Sequence, residues 1–180
     1  MYGDKSLTPA ETMRLAVLGA LTEGEVTYSD LATGVRHFVE RMVGPSLELL
    51  GSSLEVLRLE GLIEAAGGAS GDKAPMRLTQ AGRDTFEKLM LSSLRAPLND
   101  IQRLVLALKL RYLDQLRSED RADQIDLLLE LTETELARLE DLRRSGASGM
   151  FAEWLDQEIA HTDKRRTWLQ SCLERAEADV

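Results

Sequence analysis

One cysteine, Cys172, stands in a chain of 180 residues, so an internal disulfide is excluded and a reducing compartment suits the protein. Prolines number four and aromatic residues make up only 4%, which with abundant leucine reads as mainly helical. The two histidines, His37 and His161, are far apart, and no metal-ligand spacing occurs anywhere. The glycine-rich run Gly67-Gly68-Ala69-Ser70-Gly71 lacks the lysine placement of a phosphate-binding loop. No window approaches the uninterrupted apolar length of a membrane span. Met1 to Thr8 has no basic start and no apolar signal core, so nothing marks export. These absences leave no catalytic residue, metal site or cofactor to nominate. They point to a cytoplasmic protein that is not an enzyme and does not enter a membrane. Cys172, beside Leu169 and Leu173, reads as core packing, and Glu119-Asp120 as a solvated helix start.

Hydrophobic residues are plentiful at 43%, enough to bury a core in one compact domain or two small ones. Net charge is −9, which at long range repels nucleic acid. The acid is unevenly spread: residues 1–95 carry 10 basic and 13 acidic residues, and residues 96–180 carry 12 and 18.

Start and stop signals divide the chain. Thr8-Pro9-Ala10-Glu11 has the form of a capping box before a first helix. Val26-Thr27 is a short extended piece, and a second helix begins at Tyr28 with Leu31, Val35, Phe38, Val39 and Met42 as its apolar stripe. Gly44-Pro45 breaks it, and Ser46 is a good cap for a third helix with Leu47, Leu50, Leu54 and Leu57 on its buried face. Gly61 stops that helix. Leu62-Ile63, a loop from Ala65 to Pro75, and Met76-Arg77-Leu78 make a hairpin, after which Thr79 caps a fourth helix running to about Ser93. Arg95-Ala96-Pro97 is the expected boundary. Beyond it lie helices over Leu98–Leu116, Asp120–Arg144 and Met150–Ala178, with a break at Ser145-Gly146-Ala147-Ser148-Gly149. The expected fold is mainly α: an N-terminal winged helix-turn-helix with a two-stranded wing over residues 8–95, then a long-helix dimerisation domain over 97–178.

A winged helix places its third helix in the major groove of double-stranded DNA. The candidate contacts are Ser46, Ser52, Ser53 and Arg58 on that helix, Lys73 and Arg77 on the wing, Arg36 on the second helix, and Tyr28 at its start, where a hydroxyl can donate to phosphate. Arg41 is expected with Arg36 along the DNA backbone, and Arg83 follows the wing. Glu48 and Glu55 suit a solvated flank better than a groove. The same apolar pattern would serve a protein-interaction module equally well.

Leu15-Ala16-Val17-Leu18-Gly19-Ala20-Leu21, Tyr28, Leu54-x-x-Leu57-x-x-x-Gly61-Leu62-Ile63 and Leu78-Thr79-Gln80-Ala81-Gly82-Arg83 together resemble the PadR-like transcriptional regulators. Leu106-Ala107-Leu108-Lys109-Leu110 and a last helix holding Trp154 and Trp168 are similar to the helical C-terminal domain of the PadR and virulence-activator type. The resemblance covers most of the chain from about Met13. Gly51 stands where that family usually has a tyrosine, and the wing keeps only Lys73 and Arg77 of the usual basic cluster. The resemblance implies operator binding as a homodimer, repression as the mode of control, and in some members release by a planar small molecule. For such an aromatic effector the candidate residues are Trp154, His161 and Trp168, spaced seven apart on one helix face. Packing of both tryptophans in an interface is the favoured alternative. The competing function is a winged-helix interaction module with little DNA affinity.

Overall fold

A computed structural model describes residues 6–44, 50–68 and 74–178. Two compact units divide the chain: Met1–Ser93 with Leu98–Gln115, and Leu94–Pro97 with Leu116–Val180.

The first unit is built round α1 (Pro9–Thr22). Its start is the expected capping box: the Thr8 hydroxyl accepts the Glu11 N–H at 3.2 Å, and the Glu11 carboxylate accepts the Thr8 N–H at 2.8 Å. The Thr8 backbone bond, reinforced by its side chain, holds the Glu11 carboxyl below the usual range. Met13, Leu15, Ala16, Val17, Leu18 and Leu21 are all buried. A helix apolar on so many sides must be surrounded. Around it pack α2 (Tyr28–Val43), α3 (Leu50–Leu59), α4 (Gln80–Met90) and α5 (Asp100–Tyr112).

Three short strands, β1 (Val26–Thr27), β2 (Ile63–Ala65) and β3 (Pro75–Leu78), form an antiparallel sheet in the order β1-β3-β2. The expected two-stranded wing is the β2–β3 pair, and β1 joins its β3 edge through Val26 opposite Met76. Alternation along the strands turns Ile63 and Met76 inward and Glu64 and Arg77 outward.

The break at 95–97 separates α4 from α5 along the chain, yet α5 packs back against α1 and α2 inside the first unit. Its buried residues Leu104, Val105, Leu108 and Tyr112 supply the reason, since they need an apolar partner surface and α1 presents one. Gly19 admits the Tyr112 ring: a β-carbon there would run into it. Also buried on α5 is Lys109, whose Nζ donates to the Met90 carbonyl at the end of α4. Burial pulls its ammonium down to a pKa of about 7.

In the second unit α6 (Ser118–Arg144) and α7 (Gly149–Ala178) form a helical hairpin. The turn holds Gly146 at φ 99° and Gly149 at φ 58°, values that favour glycine. Arg143 meets Asp156 at 2.7 Å near the turn and Arg165 meets Glu135 at 3.4 Å further along, as an antiparallel pairing requires. Ile125, Leu128 and Leu136 of α6 and Ala152, Leu155 and Leu169 of α7 are buried. No helix among the described residues is long and apolar enough to cross a membrane.

Candidate nucleic-acid interface

The α2–α3 pair and the β2–β3 wing are the parts of a winged helix that meet DNA. Thr27 caps α2, accepting the Asp30 N–H at 3.1 Å and donating to its carboxylate at 2.8 Å. Leu31, Val35 and Val39 bury one face, while Arg36, His37, Glu40 and Arg41 are exposed on the other. Arg36 therefore stands in solvent. Tyr28 is half-buried at the α2 N-terminus.

On α3, Leu54 and Leu57 are buried, whereas Glu55, Val56, Arg58 and Leu59 are exposed. The helix closes in a Schellman turn: Leu62 N–H donates to the Leu57 carbonyl at 2.9 Å and Gly61, at φ 70°, donates to Arg58 at 3.0 Å. Thr79 then ties the return strand to this turn. Its hydroxyl donates toward the carbonyls of Gly61 at 2.7 Å and Leu62 at 3.1 Å and accepts the Gly82 N–H at 3.0 Å. Gly82 lies so close to the Leu62 carbonyl that any β-carbon would collide with it. The Leu78-Thr79-Gln80-Ala81-Gly82 motif is thus a clasp joining the end of α3, the wing and the start of α4.

Some arginines of this unit are ion-paired and others are not. Arg14, Arg77 and Arg111 are ion-paired, with Glu60 at 2.6 Å, Glu64 at 2.8 Å and Glu23 at 3.0 Å. Arg36, Arg41, Arg58 and Arg83 are exposed and, among the described residues, have no ion pair. Ser46 and Lys73 lie outside the described residues, as do the side chains of Ser52 and Ser53.

Trp154, His161 and Trp168 are all exposed on α7, on a face adjoining the buried stripe of Leu155, Thr162 and Leu169. Trp154 stacks on Phe151 with ring centroids 5.7 Å apart. Fourteen residues of helix put Trp154 and Trp168 roughly 21 Å apart. One flat molecule on this helix cannot touch both.

Sequence reasoning missed a cavity inside the first unit. About 270 Å³ in volume, it lies between the end of α1, β1, α2 and α5. Ala16, Leu31, Val35 and Tyr112 form its buried wall, and Glu23, Glu25, Asp30 and Arg111 its exposed rim. Only the return of α5 onto α1 creates it, so spacing along the chain carries no sign of it.

Residues 2–173 match the family of AphA-like transcriptional regulators, and the chain belongs to it. This is a family of regulators, not of enzymes, and the class is the one expected from the motifs. No curated protein matches the chain. Among solved structures the chain is similar to Bacillus subtilis PadR in complex with operator DNA, at 19% identity over 91% of this chain and 98% of that one, with a TM-score of 0.38. The same PadR in complex with p-coumaric acid gives 18% identity, 96% and 99% coverage and a TM-score of 0.38. A PadR-like transcriptional regulator from Bacillus cereus gives 21%, 93%, 99% and 0.38.

Proposed function

We propose that this protein is a cytoplasmic repressor that binds operator DNA as a homodimer and is released by a small aromatic effector. The observation that carries the DNA reading is the set of exposed guanidiniums at Arg36 and Arg41 on α2, Arg58 on α3 and Arg83 on α4, which have no ion pair among the described residues. A guanidinium without an acidic partner is open to phosphate at once, whereas a salt-paired one must first give up its carboxylate. Ser46, Ser52, Ser53, Lys73, Tyr28 and Arg77 complete the proposed set of contacts.

Dimerisation is supported by α7, where Met150, Phe151, Trp154 and Trp168 are 79, 48, 51 and 49% exposed. A two-helix hairpin shields one face of each helix only, and large apolar side chains on the outside favour association. A second copy doubles the recognition helices and the cations, which offsets the weak basicity of a single chain. The division proposed is DNA binding by residues 8–95 and dimerisation by 97–178, with α5 physically part of the first unit.

The test is binding of the purified protein to duplex from its own promoter region at several salt concentrations. Log affinity should fall linearly with log salt, and a Lys73→Ala, Arg77→Ala double variant should bind less tightly. Binding no tighter than that of an acidic control protein would leave the interaction-module reading instead.

A further inference from the structure

The 270 Å³ cavity of the first unit has a chemistry of its own. An apolar cavity of about 150 Å³ holds benzene, so this one has room for one or two fused rings. Its floor is apolar, from Ala16, Leu31 and Val35, and Phe38 and Tyr112 contribute aromatic walls. Those rings already attract a cation: the Arg111 guanidinium lies 5.0 Å from the Phe38 centroid and 5.2 Å from that of Tyr112. Arg111 is in turn neutralised by Glu23 at 3.0 Å. Two further carboxylates, Glu25 and Asp30, stand exposed on the rim without a cation of their own among the described residues. Three acids face one base, so the rim is net negative. An anionic ligand would meet repulsion there and would have to displace Glu23 from Arg111. A positively charged ligand gains the acidic rim, while its rings pack on the apolar floor.

We infer that the cavity between α1, α2 and α5 is a binding site for a one- or two-ring aromatic ammonium. This rests on the proposal that a small aromatic molecule regulates the protein. It names the charge of that molecule and moves its site from the α7 tryptophans to the first unit. Arg36 lies one residue beyond Val35 of the cavity wall, so the helix that carries a proposed phosphate contact also lines the cavity.

Three probes of one shape separate the possibilities: 1-naphthylmethylammonium, 1-naphthylmethanol and 1-naphthylacetate, titrated calorimetrically into the full-length protein without DNA at pH 7 and low salt. The ammonium should bind at least tenfold tighter than the acetate, with the alcohol between. Glu25→Gln, an exposed rim change, should narrow that preference several-fold. Gly34→Leu should abolish binding: a β-carbon at Gly34 meets no atom within 4 Å, so the side chain enters open space in the cavity lining. Circular dichroism should show that variant folded, because leucine favours a helix over glycine. Tightest binding of the acetate, no binding of any probe, or ammonium binding unchanged in both Gly34→Leu and Glu25→Gln would overturn the assignment. With DNA absent, failure to recognise an operator moves none of these readouts. Ammonium binding without any change in operator affinity would sink the effector reading and leave the site standing.

Discussion

Arg77 and Glu64 stand directly opposite each other across the β2–β3 pair, and the guanidinium contacts the carboxylate at 2.8 Å. Both side chains are about half exposed, at 51 and 48%. An exposed pair of this kind is worth about 1 kcal/mol or less, so phosphate can compete for Arg77 but must first displace Glu64. A Glu64→Gln variant should therefore bind duplex a few-fold more tightly at low salt, with a slope against log salt steeper by about one counterion. Arg36→Ala and Arg58→Ala should each weaken binding and make the slope shallower by about one. Fluorescence anisotropy across a salt series reads all three. Unchanged slopes would remove these arginines from the interface.

The clasp at Thr79 and Gly82 predicts two separable losses. Thr79→Ala removes the cap of α4 and the link to the end of α3, at a cost of about 1–2 kcal/mol. Gly82→Ala forces a methyl group against the Leu62 backbone, which cannot move without opening the Schellman turn, and should cost more than Thr79→Ala. Thr79→Ser should retain most of the stability. Thermal unfolding ranks the three variants, and a Gly82→Ala protein as stable as the parent would contradict the close approach.

Lys109 makes stability depend on pH in a defined direction. Its pKa is about 7 in the folded protein against 10.5 for an unburied lysine, so between these values the unfolded chain holds the extra proton. Stability from this group is full above about pH 10.5, falls as pH falls, and is lost below about 7. The slope approaches about 1.4 kcal/mol per pH unit for one proton. Lys109→Met should flatten the rise seen by denaturant unfolding between pH 7 and 10. An equally steep rise in the variant would place its cause elsewhere.

The exposed tryptophans predict the behaviour of the dimer. Trp154→Asp with Trp168→Asp should shift the protein to monomer by analytical ultracentrifugation while leaving the α6–α7 seam folded, because neither residue belongs to the buried set. Operator affinity should fall with it, since two recognition helices would no longer be joined. A dimer unaffected by both changes would locate the interface on another face.

Much of this molecule was legible along the chain, and the reason is locality. Capping at Thr8 and Thr79, the glycine stops at Gly44 and Gly61, and the Ser145–Gly149 break depend on residues within a turn of each other. The two wing strands at Leu62-Ile63 and Met76-Arg77-Leu78 were legible by the same short-range logic. The acidic net charge, too, is a property of composition alone. Tertiary structure decided everything that needed two distant segments to meet. Val26 pairs with Met76 across fifty residues and turns a two-stranded wing into a three-stranded sheet. Glu64 neutralises Arg77, and α5 crosses the expected boundary at Arg95-Ala96-Pro97 to bury Lys109 and set Tyr112 on Gly19. Pattern and spacing report which face of an element is apolar, but not which partner surface will cover it. The ion-paired arginines and the cavity beside Arg111 follow from that choice of partner.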